Sequence, residues 1–238
     1  MPRTAIWKSI ADTLRREIAD GHYRPGDKLP TEAQLAGRFG VNRHTVRHAI
    51  RALVDDKLVH TRRGAGAFVA QVPTDYPIGK RVRFHQNVAA AGRTPAKQVL
   101  SVETRTAGPE EREALLLRDD ALVHVYEGLS LADGHPIALF RSVFPAALFP
   151  DLPSALRRSA SVTHALDAAG VTECTRASTR LTAKVASATQ ALHLHSAGGA
   201  PIRRSVAINV DPSGRPIEYG RTWFAGDRVT LAFDPGAL

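Results

Sequence analysis

The chain has little sulfur and little aromatic character: one cysteine and one methionine in 238 residues, and 6% Phe, Trp and Tyr. A single Cys174 excludes an internal disulfide framework and fits a reducing compartment, the cytoplasm. Nothing near it in sequence supplies a base, so a structural, buried or half-buried thiol is expected. No apolar run approaches the ~20 residues that a membrane span requires, and no signal-peptide pattern opens the chain, so no membrane partner is expected. G-x-x-x-x-G-K, G-x-S-x-G and H-E-x-x-H are all missing, which leaves phosphate-transfer, esterase and zinc-hydrolase readings without support. His193 and His195 in "HLH" have no Cys or carboxylate cluster beside them. Neither a catalytic residue, a metal nor a cofactor is assigned.

Acidic residues are also missing from one stretch in particular. "VNRHTVRHAIRAL", Val41 to Leu53, holds three arginines and two histidines but no acid. At roughly 100° per residue, Val46, Ala49, Ile50 and Leu53 fall on one helical face, and Arg43, His44, Arg47, His48 and Arg51 fall on another. Ordinary surface helices mix charge signs at i,i+4 spacing. A purely basic arc faces a polyanion instead. The wider charge distribution agrees: the formal net charge is +9, and residues 1–70 carry thirteen Lys and Arg against seven Asp and Glu, nearly twice as many.

Around that stretch the pattern is helical. Ile6, Ile10, Leu14 and Ile18 make one stripe, which "DGHYRPGDKLP" ends. Thr31 caps a second short helix in "TEAQLAGRFG", Gly40 closes it, and Asn42 caps the basic helix. Two short helices joined by a Gly-containing turn form a helix-turn-helix, whose second helix enters the DNA major groove by its N-terminal residues. Asn42, Arg43, His44, Thr45 and Arg47 are the expected base readers. "KLVHTRRGAGAFVA" then predicts strands over Leu58 to Thr61 and Ala67 to Ala70, a wing whose tip carries Arg62, Arg63, Gly64 and Gly66. Arg51, Arg62 and Arg63 are expected on phosphates.

"YRPGDKLPTEAQLAGRFGVNRHTVRHAIRALVDDKLVHTRRGAGAFV" resembles the GntR family of bacterial transcription regulators in nearly its whole pattern. The resemblance implies a homodimer on a short palindromic operator, with Thr31 and the residues above at the DNA. In one departure, Ala33 stands where a basic residue often follows the Glu of the second helix, and no contact is carried over there.

"AQVPTDYPIGKR" breaks the periodicity, so the expected organisation is a winged head over 1–70, a linker over 71–80 and a second domain over 81–238. Hairpin signals around "DG" and "DPSG", together with interspersed helices, predict an α+β domain built on an antiparallel sheet. Across roughly residues 77–234 this half resembles the effector domain (UTRA) of HutC-type GntR regulators, which shares a fold with chorismate lyase. "DYPIGKRVRFHQNVAAAG" is similar to the matching segment of PhnF-like regulators of phosphonate uptake and cleavage.

That segment brings Arg83, Phe84, His85, Gln86 and Asn87 to the start of a short helix, a setting suited to an anion such as a phosphonate or phosphate. Arg141, set among apolar residues, is expected either to pair with Glu127 or to line the ligand pocket with it. Tyr219 and Arg221 alternate on a strand and are further effector candidates. The expected function is ligand-responsive repression of phosphonate- or phosphate-related genes. A HutC-type sensor of a sugar phosphate, an amino acid or a histidine-degradation intermediate is the alternative, and a chorismate-lyase-like enzyme is a remote one.

Overall fold

The computed structural model describes residues 5–62, 64–70, 73–80 and 84–233. Its contacts divide the chain into two units, Met1–Val72 and Pro73–Leu238.

In the first unit α1 (Ile6–Ala19), α2 (Glu32–Phe39) and α3 (Arg43–Asp55) precede an antiparallel hairpin of β1 (Val59–Arg62) and β2 (Gly66–Val69). Local chemistry sets the helix ends. Thr31 and Gln34 form a reciprocal capping box, Gly40 stops α2 at φ 64°, and Asn42 Oδ1 accepts the Thr45 N–H at 2.8 Å. Leu14, Leu35, Val46, Ala49 and Leu53 are wholly buried in one core, so the apolar faces of all three helices meet there. Truncating Leu53 to Ala would cost about 2–5 kcal/mol.

The second unit begins with β3 (Thr74–Pro77), inside the segment expected to be linker. Thr74 and Tyr76 are buried while Asp75 and Pro77 are not, and the strand pairs in parallel with a partner at the far end of the chain, which no local pattern announces. α4 (Phe84–Ala90), β4 (Pro95–Thr106) and α5 (Pro109–Leu115) follow. β5 (Leu122–Ala132) and β6 (His135–Pro145) form a hairpin whose Asp133 and Gly134 both have positive φ, the turn that matches strand twist. Next come α6 (Leu152–Ser159), α7 (Val162–Ala168), β7 (Thr175–Val185), α8 (Ala188–His193), β8 (Pro201–Val210), β9 (Pro216–Ala225) and β10 (Val229–Ala232), the partner of β3.

Six of these strands make one antiparallel sheet in the order β4-β5-β6-β9-β8-β7. Tyr126, Phe140 and Phe144 pack under α6 and α7 on one face. Val125, Val143 and Tyr219 pack beside α5 on the other. The fold is therefore α+β, a winged helix-turn-helix followed by an antiparallel-sheet domain with flanking helices.

Candidate functional site

The N-terminal unit presents the expected basic face. Asn42, Arg43, His44, Arg47, His48 and Arg51 are exposed on α3, and Val46, Ala49, Ile50 and Leu53 are turned into the core. Trp7 of α1 stacks on His48 at 4.1 Å between ring centroids and walls a hollow shared with Asn42, His44, Thr45, Arg47 and Arg51. Arg47 is not free: its Nε and Nη2 donate to the two carboxylate oxygens of Glu32 at 2.9 and 2.7 Å, and this pairing holds the Glu32 carboxyl below its usual range. At the wing the Arg62 guanidinium lies 4.4 Å from the centre of the Phe68 ring, which fixes its direction. Gly64 and Gly66 have φ of 74° and 110°, values that favour glycine, so the hairpin tip depends on them. Arg63 lies outside the described residues.

In the second unit the sheet floors a cavity of about 640 Å³. Ser142 of β6, Ser205 and Asn209 of β8, and Glu218 and Thr222 of β9 face into it. Tyr76, Phe84 and His85 wall it from β3 and α4, and Ser161 to His164 wall it at the start of α7. Two cations flank the floor. Lys97 of β4 holds its ammonium 4.3 Å from the centre of the Phe140 ring and 5.3 Å from that of Phe84. Burial pushes this ammonium down to about 8, and Glu218 opposes the shift. Arg176 of β7 is the other cation.

Burial, then the charge of Lys97, lowers His85, favouring its neutral form. Cys174 also lines the cavity and is half-buried, within the buried or half-buried setting expected of it. Burial chiefly, with Glu218 adding, pushes its thiol up to about 12, so it is not a thiolate nucleophile at neutral pH. The mixture of aromatic walls, hydroxyls and two cations suits a small anion with an organic body.

Residues 7–69 match the gntR family of bacterial regulatory proteins, and residues 90–230 match the UTRA domain. The chain belongs to the GntR family. An HTH-type transcriptional regulator of Rhizobium meliloti is 35% identical over 97% of this chain and 95% of its own length. The probable transcriptional regulator PhnF of Escherichia coli strain K12 is 31% identical over 96% of this chain and 94% of its own. Among solved structures, PhnF from Mycobacterium smegmatis superposes with a TM-score of 0.63 at 26% identity, covering 94% of this chain and 98% of that one. This GntR regulator is thus a ligand-responsive transcription factor of the HutC type, and its relatives are regulators rather than enzymes.

The expected effector residues separate into two groups in this GntR protein. Phe84, His85 and Gln86 line the cavity. Asn87 instead donates through Nδ2 to the Pro77 carbonyl at 3.2 Å, tying α4 to β3. Arg83 lies outside the described residues. Glu127, Arg141, Tyr219 and Arg221 do not line the cavity. Side chains alternate across a strand, so Arg141 lies on the opposite face from Phe140 and Ser142, and Tyr219 and Arg221 oppose Glu218, Gly220 and Thr222. Arg141 Nε donates to Glu127 Oε1 at 2.5 Å, which resolves the two readings of that pair toward mutual pairing. Arg221 pairs with Glu110 of α5 and donates to the Tyr219 hydroxyl at 3.2 Å. Lys97, Arg176, Asn209 and Glu218 were not anticipated. The available signal was polar residues punctuating apolar strands, in "SVAIN" and "PIEYG".

Proposed function

We propose that this GntR regulator is a cytoplasmic repressor. It binds a palindromic operator as a homodimer and changes its operator affinity when a small organic anion, a phosphonate or phosphate ester, occupies the cavity of its UTRA domain. The observation that carries this reading is the pair of cations flanking one apolar-walled cavity, with Lys97 kept in place although burial disfavours its charge. A half-buried cation in direct contact with no carboxylate is costly, and an anionic ligand relieves the cost. The likeness of "DYPIGKRVRFHQNVAAAG" to PhnF-like regulators supports a phosphonate in particular.

Coupling to DNA follows from chain order. Tyr76, Phe84 and His85 are supplied by the first two elements after the winged head, so a ligand touching them restrains the segment leading to that head. The ligand shifts operator binding only through unequal affinity for the head's arrangements.

The test is a calorimetric titration with inorganic phosphate, simple phosphonates, sugar phosphates, amino acids and urocanate, followed by operator binding with and without each ligand that binds. Saturable binding of phosphonates or phosphate esters that changes operator affinity is expected. Response only to an uncharged metabolite or to urocanate would overturn the reading.

A further inference from the structure

The floor of the cavity is polarised along one row. Arg176 on β7 pairs in register with Asn209 on β8, and Asn209 pairs in register with Glu218 on β9. All three side chains line the cavity. Adjacent strands lie about 4.8 Å apart, so three neighbouring strands carry a cation, an amide and a carboxylate in sequence.

The hydrogen bonding of this row is incomplete at both ends. Asn209, 3% exposed, donates through Nδ2 to Glu218 Oε2 at 2.7 Å, and its Oδ1 is buried with no partner among the described residues. Glu218 is 7% exposed, and the Asn209 amide is the one hydrogen bond it accepts among the described residues. A carboxylate has roughly four acceptor sites, so most of its capacity is unused. Lys97 acts on it only at a distance: no ion pair or hydrogen bond joins the two, and the ammonium sits over the Phe140 and Phe84 rings. At the other end the Arg176 Nε–H is buried and without an acceptor among the described residues. Buried polar groups in native proteins are almost always satisfied. One end therefore calls for a donor and the other for an acceptor.

We propose that the effector is a small zwitterion, its anionic group directed to Arg176 and a protonated amine directed to Glu218 and Asn209 Oδ1. The cation and the carboxylate stand only two strands apart, so a ligand that reaches both has its two charged groups joined by a short carbon chain. A neutral hydroxyl would satisfy Asn209 but would leave the buried Glu218 carboxylate without a cation in direct contact, which is the costlier state. The amine is thus the feature on which the site discriminates. This inference rests on the proposed anionic-effector cavity and adds a requirement for a positive charge.

Matched probes test it with the full-length protein by calorimetry. 2-Aminoethylphosphonate, 2-hydroxyethylphosphonate and propylphosphonate differ only in the terminal amine, hydroxyl or methyl, and β-alanine and butyrate repeat the amine-to-methyl comparison with a carboxylate head. The aminated member should bind at least about tenfold more tightly than its methyl and hydroxyl counterparts, and the head group that binds identifies the anion. Glu218→Gln should reduce that preference to within about threefold. Should Glu218→Gln fail to fold, as judged by circular dichroism, the wild-type comparison decides alone. Equal binding of amine, hydroxyl and methyl members would overturn the zwitterion while leaving the anion cavity standing. No binding of either head class would overturn both.

Discussion

The guanidinium of Arg47 on the recognition helix is clasped by the carboxylate of Glu32 at the start of α2, with Nη2 2.7 Å from Oε2. The pair joins the two helices of the helix-turn-helix beside the exposed basic face of α3. Both side chains are substantially exposed, at 53% and 34%, so solvent screening leaves the pair little part in stability. It holds the Arg47 guanidinium in one direction, and if Arg47 reads bases as its place on α3 predicts, that direction is set before DNA arrives.

Glu32→Gln should therefore leave the melting temperature of the head nearly unchanged. Binding to scrambled DNA should strengthen, because a negative charge leaves a DNA-facing surface, while the ratio of operator to scrambled affinity should fall about tenfold. Fluorescence anisotropy with both duplexes measures the ratio. An unchanged ratio would show that Arg47 is not oriented by Glu32.

Arg43 and Arg62 should separate base reading from phosphate gripping. Arg43 is exposed at the first turn of α3, whereas Arg62 is laid along Phe68 in the wing. Arg43→Ala should lose about 1–3 kcal/mol of discrimination at one operator position. Arg62→Ala should weaken all sequences alike and reduce the slope of log K against log salt by about 1. The salt titration decides: a position-specific loss for Arg62→Ala would exchange the two roles.

The basic face of α3 was legible in the sequence because it is built from local relationships. The caps at Thr31 and Asn42 act within three residues, and the core stripe on α3 repeats within one helix. The Glu127–Arg141 pair was also within reach, since the Asp133-Gly134 turn sets the register of its hairpin. The cavity was not. Arg176, Asn209 and Glu218 come from three strands, and only their register brings them into one row. Tyr219 and Arg221 looked like effector residues by composition, but one step along β9 sends them to the α5 face, and a single strand's sequence does not say which face will be roofed. β3 escaped notice for a similar reason, because its partner β10 lies at the other end of the chain.

Gly128 marks a tight point beneath the cavity. A Cβ there would lie 2.5 Å from the Gln98 carbonyl oxygen and 2.7 Å from Phe140 Cζ. The carbonyl belongs to β4 and cannot retreat without disturbing the ladder, so Gly128→Ala should destabilise the second unit by about 1–3 kcal/mol. It should also displace the ring against which the Lys97 ammonium rests. A denaturant melt that matched wild type would show that the sheet relaxes more freely than its register implies.

Lys97 should give stability and ligand binding opposite responses to pH. Burial lowers its ammonium to about 8 in the folded protein, with Glu218 opposing, while the unfolded chain has the ordinary lysine value near 10.4. Below about pH 8 both states carry the proton, and the folded state bears the full cost of the buried charge. Between about 8 and 10.4 the unfolded state binds more protons, so stability should rise with pH across that window. An anion in the cavity needs the charged form, so its affinity should fall over the same range. A phosphonate also titrates near neutrality, which makes the comparison with Lys97→Met necessary. That variant retains an apolar stem against Phe140, should lose at least about tenfold in phosphonate affinity at pH 7, and should show a shallower decline toward pH 9 than wild type. Denaturant melts and calorimetric titrations of both proteins over this range measure the two responses. If wild type and Lys97→Met bind with parallel pH profiles, Lys97 holds no anion and its buried charge serves only the fold.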